Sequence, residues 1–353
     1  MKKITYSVHT IMGGPGIGQT ALHQAKPLYD EGILEKVYAT GIKNLPESLL
    51  FEVPDISAPY EVSDIYFDGY CALNMEKPDF IQSWVLHSLF QLREFPEATS
   101  VLNLFSAHME EQAKILNSEL GFYEINPMLV KKATRELELC DYIFVPSEWI
   151  YKSLESRGLE HKAKIVPFGV DLDKFHPRKM PREDDIFRVI YVGSNWIRKG
   201  LVYLIYAWQQ LKLENAELII AGVNDDVKNA FVNITSENIK WGWVPDLVET
   251  YQNSDVCVHP ALEDGAPLSV TEAMACGVAP IITKNTGTTQ HIYDGHNGFI
   301  VDIKSAEQIG ERLQWMYDNR DHCRKMGREA RKTVEAFPWE RHEKEYVKWV
   351  KKL

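Results

Sequence analysis

Two carboxylates, Asp264 and Glu272, lie eight residues apart on either side of the tight turn Gly265–Pro267. A buried strand is predicted before Asp264, and a helix is predicted after the turn, with Glu272 in its first turn. The free backbone N–H groups at the start of such a helix form a site for an anion. A carboxylate accepts hydrogen bonds from neighbouring hydroxyls, which suits Glu272 to a ribose diol and Asp264 to a hexose. The stretch therefore predicts a site for a ribose, a diphosphate and a sugar in line.

A simpler explanation exists for Glu272 alone. A glutamate near the start of a helix complements the positive end of the helix dipole without binding any ligand. That explanation leaves Asp264 unaccounted for, so the spacing favours the ligand site.

The elements that position these residues follow a βαβ pattern. Short apolar runs rich in β-branched residues alternate with segments of helical period, which is typical of parallel sheets. Two such series flank a stretch crowded with proline, glycine and charge, residues 164–185, which includes Pro181. The sequence therefore predicts an α/β domain at 1–168 and a second at 169–337. A terminal amphipathic helix at about 338–353 is expected to pack back on the first domain.

One further segment is strongly apolar. It predicts a helix that is apolar on more than one face, around Phe80, Trp84, Leu86, Leu89, Phe90 and Leu92. A buried core helix is the favoured interpretation, and contact with a lipid-linked acceptor is the alternative.

Composition restricts the class of protein. The 353 residues are 45% hydrophobic and 25% charged, which is typical of a globular protein with two domains. No run of about 18 apolar residues occurs, and the first residues lack the apolar core of a secretion signal. The five cysteines are far apart and form no C-x-x-C pair, which favours a reducing cytoplasm.

The charge argues against polyanionic partners. The chain has 39 basic and 50 acidic residues, a net charge of −11, and residues 1–164 contribute −8 of it. An acidic surface repels nucleic acid and anionic lipid, so a nucleic-acid partner is not expected. The acidic first half favours a neutral or cationic acceptor.

The stretch DGAPLSVTEAMACG, residues 264–277, resembles the E-x7-E motif of the retaining glycosyltransferases of family GT4, with Asp264 in place of the first glutamate. Other segments match in the same order: FVPSEWIYKSL, PFGVDLDKF, VIYVGS followed by KG, LIIAG and IYDGHNGFIV. The resemblance is strong over about 142–301 and loose before it. It implies an α/β chain with the GT-B fold, two facing Rossmann-like domains with a cleft between them.

The resemblance also implies an activity. A sugar would pass from a nucleotide diphosphate sugar, a UDP- or GDP-sugar, to an acceptor hydroxyl with retention of configuration, in glycan, glycolipid or glycoside biosynthesis. The first domain would bind the acceptor and the second the donor.

The resemblance assigns site residues in both domains. Lys199 matches a lysine that binds the diphosphate, Ser194 stands where the family has an arginine, and Arg198 is expected to supply the missing charge. Backbone groups from Gly242 to Val244 would bind the base. The implied donor-binding residues are Gly14, Gly16, Ser194, Arg198, Lys199, Gly242, Val244, Asp264, Gly265, Ala266, Pro267, Leu268, Ser269 and Glu272, and the implied catalytic residues are Asp264, Lys199, Glu272 and His108.

The two first-domain assignments have alternatives. The turn from Gly13 to Thr20 resembles a P-loop, but Gln19 replaces the phosphate-binding lysine. It also resembles a dinucleotide-binding turn, but the second strand ends without an acidic residue. A turn that only joins strand to helix remains an alternative. A lone histidine such as His108 is more often structural, whereas the resemblance implies contact with the donor sugar.

No metal and no cofactor are expected, because Lys199 and a helix terminus would neutralise the diphosphate. Asp171 and Asp173 look like a metal-binding D-x-D pair but lie in the connecting stretch. The expected partners are a nucleotide sugar and a carbohydrate, lipid-linked or small-molecule acceptor, with peripheral membrane contact at most. Two alternatives stay open: another GT-B enzyme, an epimerase or a phosphorylase, and a non-catalytic sugar-nucleotide-binding subunit, which the loss of arginine at Ser194 suggests.

Overall fold

A computed structural model of the chain describes residues 2–14, 16–56, 58–117, 125–180, 182–231 and 236–353. These residues form two compact units: unit 1 comprises Met1–Phe168 and Trp339–Leu353, and unit 2 comprises Gly169–Pro338. Pro15 of the glycine-rich turn and Pro181 of the connecting stretch lie outside the described residues.

Unit 1 is built on a parallel sheet. Its strands are β1 (Ile4–Ser7), β2 (Ile11–Met12), β3 (Leu34–Ala39), β4 (Gly41–Ile42), β5 (Leu50–Glu52), β6 (Phe80–Trp84), β7 (Thr99–Asn103), β8 (Tyr142–Val145) and β9 (Ala163–Ile165). Seven of them pair in the order β5-β3-β1-β6-β7-β8-β9, and β2 pairs with β4. The strand order reverses direction between β1 and β6.

Six helices of unit 1 connect these strands: α1 (Ile17–Asp30), α2 (Tyr60–Asn74), α3 (Leu89–Glu94), α4 (Met109–Asn117), α5 (Pro127–Leu139) and α6 (Glu148–Glu155). The core helix predicted from Phe80 to Leu92 is wrong. Phe80 to Trp84 form the central strand β6, buried on both faces, and only the short α3 follows. A short apolar run does not distinguish a buried strand from a buried helix, which explains the error.

Unit 2 has a second parallel sheet. Its strands are β10 (Phe187–Val192), β11 (Ala216–Ala221), β12 (Ile239–Gly242), β13 (Val256–His259), β14 (Ala279–Thr283) and β15 (Phe299–Val301), and its helices are α7 (Leu201–Leu211), α8 (Asp225–Ala230), α9 (Leu247–Gln252), α10 (Leu268–Ala275), α11 (Ala306–Asp318) and α12 (Arg320–Val334). The strand order is β12-β11-β10-β13-β14-β15, so the direction reverses between β10 and β13.

Both faces of the unit 2 sheet are covered. Along β10, Val189 and Tyr191 belong to one buried apolar cluster and Ile190 belongs to another. Successive side chains of a strand point to opposite faces, so the sheet is the middle of three layers.

The chain returns to unit 1 after α12. Val170, near the start of unit 2, donates its backbone N–H to the carbonyl oxygen of Phe337, near its end, at 3.0 Å. The last helix, α13 (Trp339–Val350), then packs against α1. Its Trp339 ring stacks on His23 with ring centroids 4.1 Å apart. The α13 segment therefore completes the core of unit 1.

Among the described residues, no helix combines the length and the apolar character that crossing a lipid bilayer requires.

Candidate functional site

Lys199, Arg198 and Asp264, three of the predicted residues of the second half, meet at one edge of the unit 2 sheet. Strands β10 and β13 are neighbours, and the loops after their carboxyl ends contain Lys199 and Asp264 respectively. This is also the place where the strand order reverses. In open α/β sheets, ligands bind outside the carboxyl ends of the strands at such a switch point.

Two glycines allow the Lys199 loop to lie close to the strand edge. Gly200 has a φ of +63°, and a Cβ atom there would lie 2.0 Å from the carbonyl oxygen of Pro260. A Cβ atom on Gly193 would lie 2.4 Å from Cδ of Lys199. Because glycine lacks this atom, the lysine side chain folds back over the end of β10.

The cationic side chains of this loop are paired with acids of the β13 loop. Nζ of Lys199 lies 2.9 Å from Oδ2 of Asp264, and Nη1 of Arg198 lies 3.1 Å from Oε1 of Glu263. Nε2 of His259 lies 3.0 Å from the same Asp264 oxygen. Arg198 thus points inward, only 3.7 Å from the other oxygen of Asp264.

Electrostatics keep Asp264 ionised. Burial alone would raise the pKa of this carboxyl, but Lys199 and Arg198 hold it well below its usual range. Burial lowers the pKa of His259, against the effect of its hydrogen bond to Asp264. The cluster is therefore a carboxylate held by two cations and a histidine that burial keeps neutral.

The backbone fixes the position of Asp264. Its N–H donates to the carbonyl oxygen of Asn285 at 3.0 Å, and its carbonyl oxygen accepts from the N–H of Gly287 at 2.8 Å. The amide of Asn285 also donates to the carbonyl oxygen of Leu262 at 3.1 Å. The loop after β14 thus clamps the loop after β13.

The backbone N–H groups at the start of α10, the helix after the turn, are placed to bind an anion. Pro267 precedes the first residue of α10, Leu268, and no described side chain caps this helix end. The N–H groups of Leu268 and Ser269 lie in the first turn, where intrahelical partners are lacking. Gly265 and Ala266 form the turn before them.

Glu272 is placed differently from the prediction. It is the fifth residue of α10, one turn beyond the expected position, because the helix begins only at Leu268. Burial raises the pKa of Glu272 to about 7, and Lys174 and the hydroxyl of Tyr251 oppose this rise. Tyr251 itself donates its hydroxyl to the carbonyl oxygen of Ser269 at 3.0 Å.

The remaining predicted residues of unit 2 lie at the ends of β10 and β12, the two strands that flank β11. Ser194 is exposed after β10, Gly242 ends β12, and Val244 is half-buried just after it. Between the last two lies Trp243, whose side chain is 86% exposed. The sequence analysis predicted base binding by the backbone from Gly242 to Val244 but did not single out the Trp243 side chain. Its place between these two residues was the signal that could have identified it.

In unit 1, His108 is fully buried at the start of α4. Its Nδ1 accepts a hydrogen bond from the N–H of Glu110 at 3.3 Å, and burial lowers its pKa. The N–H of Gly14 donates to the carbonyl oxygen of Ile11 at 2.9 Å, so this group is used within the loop. Gly16 is exposed directly before α1.

The two parallel α/β units define the class of the chain. Its whole length is similar to several solved structures. Sucrose-phosphate synthase from Thermosynechococcus elongatus matches with a TM-score of 0.80 at 17% identity, covering 100% of this chain and 99% of that one. Anabaena HepE in complex with UDP-glucose matches with a TM-score of 0.74 at 14% identity, covering 100% of each chain. The predicted GT-B fold is confirmed.

The sequence comparisons find one matching family. Residues 173–333 match the model of the glycosyl transferases group 1. The putative glycosyltransferase EpsD of Bacillus subtilis (strain 168) is 27% identical over 206 residues, which cover 52% of this chain and 54% of that protein. The chain thus spans about half the length of this curated relative.

Proposed function

We propose that the chain transfers a sugar from a nucleotide diphosphate sugar, a UDP- or GDP-sugar, to an acceptor hydroxyl with retention of anomeric configuration. The observation that carries the proposal is the meeting of Lys199, Arg198 and Asp264 beside the uncapped start of α10. The match of residues 173–333 to the model of the glycosyl transferases group 1 supports it, and so does the UDP-glucose bound in the similar structure of HepE.

The chemical demand of the reaction matches this cluster. The bond between the anomeric carbon and the diphosphate breaks, the acceptor oxygen bonds to that carbon, and the departing phosphate takes the acceptor proton. Negative charge grows on the diphosphate while the sugar becomes oxocarbenium-like. Lys199, Arg198 and the first N–H groups of α10 stabilise the leaving group, so the transfer needs no metal ion.

The sugar and the nucleoside have separate partners. Asp264 accepts hydrogen bonds from sugar hydroxyls, and Glu272 accepts them from the ribose diol. The exposed ring of Trp243 offers a flat apolar face beside Gly242 for the base. The acceptor is a carbohydrate, lipid-linked or small-molecule hydroxyl, and the reaction belongs to glycan, glycolipid or glycoside biosynthesis in the cytoplasm.

Binding of nucleoside diphosphates tests the donor site. Isothermal titration with UDP and GDP should detect one site, and Lys199→Ala and Glu272→Ala should each weaken binding at least tenfold, because each removes a direct partner of the nucleotide. Lys332→Ala and Glu311→Ala change exposed side chains of unit 2 and serve as matched controls. Unchanged affinity in both site variants would overturn the assignment.

Turnover separates the transferase from its alternatives. A panel of nucleotide sugars and acceptors should release nucleoside diphosphate with a retained anomeric product by NMR, with and without EDTA. Asp264→Asn should bind UDP at least as tightly, since Lys199 loses its carboxylate partner, yet lose transfer at least a hundredfold. Epimerised donor or a sugar phosphate would indicate another GT-B enzyme, and donor binding without turnover would indicate a binding subunit.

A further inference from the structure

A second cluster of ionisable side chains lies in unit 1, outside the donor site. Nδ1 of His9 lies 2.7 Å from Oδ1 of Asp64, and Nε2 of His87 lies 3.3 Å from the same oxygen. One nitrogen or oxygen from each of the three residues lies within 4.8 Å of the others. His87 and Asp64 are buried, and the His9 side chain is 11% exposed.

The cluster occupies the switch point of the unit 1 sheet. His9 follows β1 and His87 follows β6, the two neighbouring strands between which the strand order reverses. Asp64 comes from α2, the helix that precedes β6. The cluster therefore lies where an open α/β sheet holds a ligand.

The loop that carries His87 is strained and fixed. Leu86 has a φ of +80°, a region that non-glycine residues rarely adopt. Glu136 accepts hydrogen bonds from the N–H groups of Leu86 and Ser88, and the buried Lys132 donates to the carbonyl oxygen of Leu86. Strain maintained by surrounding structure in this way is found preferentially at functional sites.

Two buried polar atoms of the cluster lack partners. Neither Oδ2 of Asp64 nor Nδ1 of His87 has a hydrogen-bond partner in the part of the chain that the structure describes. Burying a polar atom without a hydrogen-bond partner costs free energy, and a cation bound beside the carboxylate of Asp64 would offset that cost.

We propose that His9, Asp64 and His87 bind a divalent transition-metal ion of the Zn²⁺ type in unit 1. Two imidazoles and one carboxylate are a ligand set that Zn²⁺ and related ions accept, with further positions left open. An ion about 2.1 Å from each ligand atom would replace the contacts of His9 and His87 with Asp64 and hold the three ligand atoms about 3.3 Å apart. Small rotations of the partly exposed His9 ring would move its nitrogen from the present distance to this one.

The proposal is independent of the donor chemistry of unit 2. The metal would not touch Lys199 or the diphosphate, so a metal-independent transfer and a metal-bound unit 1 are compatible. The open positions would let the ion bind an oxygen of a ligand on unit 1.

Direct metal binding tests the site. Tag-free, EDTA-treated protein titrated with Zn²⁺ should bind one ion per chain, and Co²⁺ should give a visible absorption band of a low-coordinate site. Asp64→Asn and His87→Gln should each weaken binding at least tenfold. His296→Gln, at a histidine that is 64% exposed, is the matched control and should leave affinity unchanged.

Three outcomes overturn the proposal: no Zn²⁺ bound at 100 µM, equal affinity in the site variants, or a loss in His296→Gln as large as theirs. Circular dichroism confirms that each variant is folded, and His9→Gln, at the most exposed ligand, replaces any variant that is not. UDP affinity is measured on the same samples, so failure of the donor site and failure of the metal site are distinguished.

Discussion

The charge of Lys199 is already neutralised before any ligand binds, because Asp264 lies 2.9 Å from its ammonium group. Under the proposed function, a diphosphate would have to replace that carboxylate as the partner of the lysine. The carboxylate would then be left for the hydroxyls of the transferred sugar. A single ion pair would thus couple phosphate binding to sugar binding.

At Glu272 the raised pKa predicts a pH-dependent stability. The folded-state pKa of about 7 lies above the usual 4.5, so the folded state binds more protons and loses stability as pH rises from about 4.5 through 7. Glu272→Gln removes this loss. We expect the variant to be about 3 kcal/mol more stable than the parent at pH 8 and nearly equal at pH 4.5.

Urea unfolding monitored at both pH values measures this difference. Glu311→Gln, at an exposed position on α11, should show the same difference from the parent at both pH values. A pH-independent effect of Glu272→Gln would contradict the raised pKa.

Some of the site residues were predictable and some were not. The matches of Lys199 and Asp264 to the family's motifs predicted that the two lie in one site, and their side chains are paired in the structure. The place of Glu272 in the same site stays a prediction. No motif or short spacing in the sequence links His9, Asp64 and His87. They are 55 and 23 residues apart and meet only because β1 and β6 become neighbours.

Among the elements, the strands of unit 2 follow directly from the sequence. Runs such as VIYV in β10 and APIIT in β14 are almost entirely apolar because helices cover both faces of a parallel sheet. The stretch from Phe80 to Leu92 was misread because it joins a buried strand to a short helix and large apolar residues occur in both. Periodicity cannot locate that boundary.

The loop between β10 and α7 depends on Gly200. Alanine there would force a φ of +63° on a residue with a side chain and place its Cβ 2.0 Å from the carbonyl oxygen of Pro260. We expect Gly200→Ala to destabilise unit 2 by roughly 2–4 kcal/mol and to weaken UDP binding by displacing Lys199.

Gly295→Ala is the matched control. Gly295 also has a positive φ, +76°, but no described atom lies within 4 Å of its added Cβ, so the cost is about 1 kcal/mol. Thermal unfolding followed by calorimetry compares the two. Equal destabilisation would show that contact with Pro260 does not matter.

At the scale of the whole molecule, Glu272 of unit 2 and His342 of unit 1 make the stability of the two units depend on pH in opposite directions. In unit 1, burial lowers the pKa of His342 from 6.5 to about 4, and its Nδ1 lies 2.8 Å from the carbonyl oxygen of Pro167. The unfolded state therefore binds a proton that the folded state excludes. The stability from this group is complete above pH 6.5 and is lost as pH falls from 6.5 to 4.

We expect unit 1 to lose about 2 kcal/mol from His342 between pH 7.5 and pH 5. His342→Gln keeps a donor for Pro167 without the titratable ring, so its stability should change less over this range. Hydrogen exchange of α1 and α13 amides reports on unit 1 specifically. A parent and variant with the same pH dependence would contradict the assignment.

The hydrogen bond between Val170 and Phe337 joins the two ends of unit 2. In the sequence, unit 2 is inserted between the two parts of unit 1. During synthesis, α1 leaves the ribosome long before α13, whose Tyr346, Val347 and Val350 share its apolar cluster. At about 5–20 residues per second, translating the 170 residues of Gly169–Pro338 takes roughly 10 to 30 s. Throughout that interval, the apolar face of α1 lacks the α13 residues that pack on it. Unit 2, although second in the sequence, is therefore the first unit whose residues are all synthesised.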